Sequence, residues 1–161
     1  MTESYLPEII DLHMHTTVSD GTDTPSEIID AVKHAGLEMF SVTDHDDVKG
    51  CRLVRQMLKE TDPFFINGAE FSCKDEIGKY HILGYAYDID ADSIKEIIAL
   101  VKTYRIDKLE GRLACLEEEF GFTFSDEDKQ KLFALDNPGK PHIGNLMAQY
   151  GYAPDKNTAI K

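Results

Sequence analysis

Long apolar runs are missing from this chain of 161 residues. Nothing approaches the ~18 consecutive apolar residues of a membrane helix, and the opening "MTESYLPE" is acidic where a secretory signal is basic and then apolar. Cations are scarce too: 17 Lys and Arg stand against 30 Asp and Glu, giving a net charge of -13 and a pI near 4.7. That balance argues against a broad surface tracking the phosphates of extended duplex nucleic acid, although bound metal ions would reverse the sign locally. The three cysteines, Cys51, Cys73 and Cys115, are odd in number and far apart. They fit reduced thiols, mostly in the core of a cytoplasmic protein, better than a disulfide framework. Neither an internal repeat nor a low-complexity segment is found, and the polar tail "APDKNTAIK" is expected to fray.

A hydrophobic share of 42% is enough for one ordinary core. "EIIDLH" reads as a short buried strand. "TPSEIIDAVKHAG" reads as a helix with Thr24 as N-cap, Pro25 at the first helical position, Glu27 completing a capping box and Gly36 closing the end. Ile28, Ile29, Val32 and Ala35 form its expected buried stripe. "LEMFSVTD" predicts a second strand and "DDVKGCRLVRQMLKE" a second helix with Val48, Cys51, Val54 and Leu58 on one face. "PFFINGAEFS" predicts a third strand, and "EIGKYHILGYAYD" a neighbouring strand entered through a turn at Gly78. The order β-α-β-α-β-β points to a mostly parallel α/β sheet or barrel, whose ligands gather at the carboxyl ends of the strands. Residues 92–135 read as helical, with Ile94, Ile97, Ile98 and Val101 on one stripe, Leu109, Leu113 and Leu116 continuing it, and a new helix starting at Ser125.

The polar residues concentrate on that rim. In "DLHMHTTVSDG" His13 and His15 lie two apart, so on a strand both imidazoles point to one side. Asp44 and His45 end the second strand in "TDHD", Glu70 lies near the end of the third, and His81 follows in the fourth. Four successive strands thus bring imidazole or carboxylate groups to one place, a donor set suited to metal. Each residue has a plainer reading. His81 alone suits a hydrogen-bonded core, and Asp20 suits Asp-Gly turn chemistry. Asp44 suits a helix cap or a partner orienting a ligating imidazole. Asp46 and Asp47 read as the cap of the second helix, and His34 as a solvated residue near a helix C-terminus.

The stretches "DLHMHTTVSDGTDTP", "SVTDHDDVKG", "NGAEFS" and "YHILGY" resemble the successive motifs of the polymerase and histidinol phosphatase (PHP) superfamily. The likeness is to its stand-alone metal-dependent phosphoesterases acting on nucleotides or short RNA ends. The resemblance implies an α/β fold, a distorted (β/α)7 barrel with a helical insertion, and up to three divalent ions. It implies that His13 and His15 hold the first ion, that Glu70 bridges to a second completed by His81, and that Asp20 and His45 hold the third. "GKPHIGNLM" resembles the segment whose basic residue, Pro and His approach substrate, so Lys140 and His142 become substrate-binding candidates and His142 a catalytic one. Lys140 stands where the family usually has Arg, which keeps the charge and loses the bidentate fork. The plainer reading of His142 is the first turn of a helix begun by Pro141.

Imidazole with carboxylate suits manganese, iron or zinc. Such ions ~3.5-4 Å apart share a hydroxide and clamp a phosphate during in-line displacement. The expected organisation is residues 1–91 as barrel with metal motifs, 92–136 as the helical cap, and 137–161 as a return segment. A barrel of seven or eight βα units takes roughly 200 residues or more, so the expectation is an incomplete, N-terminal part of one. Its catalysis alone would be impaired, and its open edge would be exposed or covered by self-association. The expected partner is a small phosphorylated substrate, a nucleotide or a short RNA or DNA end, and no membrane. Alternatives are an amidohydrolase-like hydrolase, disfavoured by Glu70 followed by His81, and a non-catalytic metal-stabilised interaction module.

Overall fold

A computed structural model describes residues 7–135 and 138–160. In chain order its elements are β1 (Ile10–Met14), α1 (Pro25–His34), β2 (Met39–Val42), α2 (Lys49–Met57), β3 (Phe64–Lys74), β4 (Lys79–Tyr85), α3 (Asp92–Phe120), α4 (Asp126–Phe133), α5 (Lys140–Gln149) and α6 (Lys156–Ala159). The chain divides into two compact units, residues 1–98 and 99–161, with the division falling inside α3.

In the first unit the sheet order β1-β2-β3-β4 repeats the order of the sequence. β1, β2 and β3 are parallel, and β4 returns antiparallel to β3. The α1 helix starts as its sequence predicts. The Thr24 hydroxyl accepts the Glu27 N–H and the Glu27 carboxylate accepts the Thr24 N–H, so two backbone donors at the helix start are satisfied. Ile28, Ile29 and Val32 from α1 and Val54 from α2 pack on Phe40 and Val42 of β2. Ala35 lies outside that stripe, exposed as the C-cap, with Gly36 beyond it at φ 69°. A second cluster joins Val48, Cys51, Ala69 and Ile89, with Ile94 and Ile98 packed against it. Of the cysteines only Cys51 is buried; Cys73 is half-buried and Cys115 exposed, so two of the three leave the core the sequence assigned them.

Two features shape this sheet. The pairs Asp11–Phe40 and Met14–Val42 show β1 advancing three residues while β2 advances two, a one-residue bulge. The Tyr85 hydroxyl of β4 donates to the Leu12 carbonyl of β1 at 2.8 Å, joining the first and last strands of the order. The sheet is therefore curled into part of a barrel. Four strands are present among the described residues, fewer than the seven that the resemblance implies for a whole barrel.

The second unit packs Leu109 and Leu113 of α3 with Phe124, Leu132, Ile143, Leu146 and Met147. Ser125 caps α4, and the Tyr150 hydroxyl donates to Asp128 at 2.6 Å beside it. Among the described residues no helix is long and apolar enough to cross a membrane.

Phe40 is fully buried whereas Ile77, at the β3–β4 turn, is 89% exposed. Urea unfolding is expected to show Phe40→Ala costing about 3–5 kcal/mol, against under about 0.5 kcal/mol for Ile77→Ala.

Candidate metal centre

Glu70 sits in the middle of β3 with 5% of its surface exposed, and four imidazoles surround its carboxylate. Oε2 lies 3.0 Å from His13 Nε2, 3.1 Å from His15 Nε2 and 3.6 Å from His45 Nδ1. Oε1 lies 2.9 Å from His81 Nδ1. The His13 and His15 Nε2 atoms are themselves 3.1 Å apart. Asp20, on the loop after β1, faces His15 Nδ1 at 3.5 Å and His45 Nε2 at 3.6 Å.

Each residue arrives by a separate backbone device. His13 lies in β1 and His15 directly follows its last residue. His45 follows β2 and forms an isolated parallel bridge with Glu70, fixed by Glu70 N–H to the Asp44 carbonyl and Asp46 N–H to the Glu70 carbonyl. His81 comes from the antiparallel β4, where it pairs with Ser72. It therefore reaches the rim from the beginning of its strand, because β4 runs back from the carboxyl end of β3. The loop bearing Asp20 turns on Thr16, whose carbonyl accepts the N–H groups of Ser19 and Gly21. Gly21 lies against the His15 carbonyl where any Cβ would collide.

The aspartates flanking His45 do different work from a helix cap. Asp44, 1% exposed, accepts the Thr16 N–H at 2.7 Å, the Thr16 hydroxyl at 2.8 Å and the Ser19 hydroxyl at 2.7 Å. It ties the Asp20 loop to the end of β2, and reaches His15 through Ser19, whose hydroxyl is 3.5 Å from His15 Nδ1. Gly50 presses on Asp44 and Thr16, leaving no space for a side chain. Asp46 adopts φ 53° and takes the Ser72 N–H and hydroxyl, both at 2.7 Å, so it clamps His45 to β3 and does not cap α2. The N-cap of α2 is Val48; Asp47 accepts the Lys49 N–H at 2.7 Å. The sequence favours a cap for Asp46 and assigns no role to Thr16, Ser19 or Ser72. The hydroxyl-rich run after His15 is a local signal for Thr16 and Ser19, and Ser72 has none.

Three donor groups emerge: His13, His15 and Glu70; His15, Asp20 and His45; His45, Glu70 and His81. An ion about 2.0–2.2 Å from each donor sets neighbouring donors about 3.0–3.6 Å apart in octahedral or tetrahedral geometry. The measured spacings of 2.9 to 3.6 Å fit. The six residues named from the sequence as metal candidates are distributed over these three overlapping groups. Lys140 and His142 belong to the second unit. Lys140 opens α5, and His142 Nδ1 accepts the Gly139 N–H at 3.1 Å, closing that helix start and leaving Nε2 for other partners.

Burial lowers the His45 pKa from its ordinary 6.5, against the pull of Glu70 and Asp20. Burial raises that of Glu70, but the His13 hydrogen bond and the charges of His45, His13 and His81 outweigh it, and the net change is downward from 4.5.

The sequence profile of the PHP domain matches residues 11–152, and the chain belongs to that family. A 5'-3' exoribonuclease of Haemophilus influenzae is 26% identical over 161 residues, 100% of this chain and 56% of its own length. A 3',5'-nucleoside bisphosphate phosphatase of Chromobacterium violaceum is 29% identical over 155 residues, 94% of this chain and 53% of its own. The chain spans about half the length of these relatives. Two solved structures share the fold. One, from Bifidobacterium adolescentis and assigned to the metal-dependent phosphoesterases, has a TM-score of 0.74 at 23% identity, covering 96% of this chain and 56% of that one. The other, an amidohydrolase of Chromobacterium violaceum, has a TM-score of 0.72 at 24% identity, covering 94% and 53%. The fold implies divalent metal ions.

Two outcomes follow from the geometry. Asp44→Ala strands three donors around a buried position and is expected to cost at least about 2 kcal/mol in urea unfolding, more than Asp20→Ala. In the metal-free chain, the contribution of His45 is present above pH 6.5 and lost as pH falls through its lowered pKa. That of Glu70 is present above 4.5 and lost below it. The melting temperature is therefore expected to fall steadily from neutral pH to pH 4, as followed by circular dichroism.

Proposed function

We propose that this chain carries the ion-binding part of a phosphoesterase that hydrolyses phosphate esters of nucleotides or short oligonucleotides. The observation that supports it is the convergence of four imidazoles and two carboxylates into three overlapping groups of possible metal donors. In this reading His13 and His15 hold one ion with Glu70, Glu70 reaches a second with His81, and Asp20 with His45 serve a third. Divalent ions in such a donor set supply Lewis acidity toward water and the phosphoryl group. Imidazole and carboxylate donors suit manganese, iron or zinc.

The remaining work falls to the chain's own residues. Glu70, held by β3, fixes the spacing of the donors around it. Asp44 and Asp46 hold the Asp20 loop and His45 in place. His142 accepts the Gly139 N–H at Nδ1, so its neutral form carries the proton on Nε2. That N–H donates to a phosphate oxygen or to the departing alkoxide, and Lys140 adds a positive charge. In this reading residues 1–91 are the barrel part that carries the metal motifs, and residues 92–136 are a helical insertion. The nucleotide preference is supported by the names of the exoribonuclease and bisphosphate phosphatase relatives. A second reading, a metal-stabilised module without turnover, uses the same donor groups to hold the strands together.

Elemental analysis and titration with manganese or zinc are expected to show ion binding by the wild type, and its loss in His13→Ala. Unchanged binding in that variant overturns the assignment. On a panel of nucleoside phosphates and short oligonucleotides, chelation is expected to abolish hydrolysis. Loss of folding without any measurable hydrolysis points to the module. His142→Ala is expected to slow poor leaving groups more than good ones; an equal effect on both removes hydrogen bonding to the leaving oxygen from its role.

A further inference from the structure

The imidazoles of His13 and His15 would face the wrong way in a regular β1. Ile10 pairs with Met39 and Asp11 with Phe40, so with uninterrupted register the residues in phase with Asp11, which include His13 and His15, would share the face of Phe40. That face carries the core cluster of Phe40, Val42 and the helices. The extra residue between Asp11 and Met14 reverses the phase. Met14 pairs with Val42 and packs on the core cluster, and the two histidines turn to the opposite face, toward Glu70.

A bulge displaces backbone groups from the ladder, and those groups need other partners. Here two side chains meet them. The His13 N–H donates to Asp11 Oδ1 at 3.0 Å, and the Leu12 carbonyl accepts the Tyr85 hydroxyl at 2.8 Å. Tyr85 arrives from β4, 73 residues along the chain, opposite Gly68. Facing residues of an antiparallel pair share a side, so the Tyr85 ring lies over a position with no side chain. Burial, with the charges of Glu70 and Asp11 nearby, raises the pKa of the Tyr85 hydroxyl, which keeps its proton for donation.

We propose that Tyr85 and Asp11 are positioning residues for the ion pocket: by bonding the backbone of the β1 bulge they hold it in the phase that aims His13 and His15 at Glu70. The inference rests on the metal-centre reading. It adds that affinity for the ions depends on two residues that offer them no donor.

Manganese titration by calorimetry of the 161-residue chain tests it, with circular dichroism to check folding. Tyr85→Phe removes only the hydroxyl, and Asp11→Ala removes the acceptor together with its charge; each is expected to weaken binding by about tenfold or more, as loss of an outer partner of a metal ligand does. Asp11→Asn keeps an Oδ1 acceptor while losing the charge, and is expected to bind within about twofold of wild type. Should Tyr85→Phe and Asp11→Ala bind like wild type while His13→Ala loses binding, the positioning role is overturned and the ion pocket stands. A wild type that binds no ion overturns both. Hydrogen exchange of the metal-free chain gives a readout independent of ions and of the Tyr85 variant's folding. The His13 amide is expected to exchange at least about tenfold faster in Asp11→Ala than in Asp11→Asn, and equal rates overturn the proposal.

Discussion

A buried carboxylate set among four imidazoles is the constraint on which the first unit is organised. Removing the charge of Glu70 from water is costly unless hydrogen bonds or cations answer it. His13, His15, His45 and His81 all lie within 3.6 Å of its oxygens. Those four residues come from β1, the end of β2 and β4, so the electrostatic need of one residue on β3 is met only when three neighbouring segments are in register with it. The strand pairing and the donor set are one arrangement seen from two sides.

The loops around this carboxylate are fixed by short-range polar bonds more than by apolar packing. His45 stands between two aspartates that reach in different directions, Asp44 to Thr16 and Ser19, Asp46 to Ser72. Asp46 holds a left-handed backbone conformation, at φ 53°, which is uncommon for a residue other than glycine. Such strain persists where surrounding bonds determine it fully, and the two bonds to Ser72 do so. Gly21 and Gly50 complete the frame by allowing the His15 carbonyl and Asp44 to approach closer than any side chain would permit.

Much of this was legible in the sequence, for identifiable reasons. Apolar periodicity and the Thr24 to Glu27 capping box marked α1, and the alternation of strands with helices gave the order of β1 to β4. The spacing of His13 and His15 at the end of an apolar run, followed by "TDHD" and Glu70, marked the rim where the structure brings these groups within reach. The bulge was illegible, because an extra residue in "IIDLHMH" carries no glycine or other local signature. Asp46 was read as a cap because a carboxylate ahead of a helix is usually one; its true partner, Ser72, lies 26 residues away. Tyr85 was missed for the same reason, since its bond to Leu12 spans the sheet and leaves no local pattern.

The strands lie side by side in the order in which they are synthesised. A nascent chain leaving the ribosome can therefore add each strand to the edge left by its predecessor, with no insertion between strands already paired and no threading. The final hairpin brings His81 back to Glu70 across a short turn at Asp75 and Gly78, so the last imidazole docks by local zipping. A pocket that draws on four strands is in this way assembled by a succession of nearest-neighbour steps.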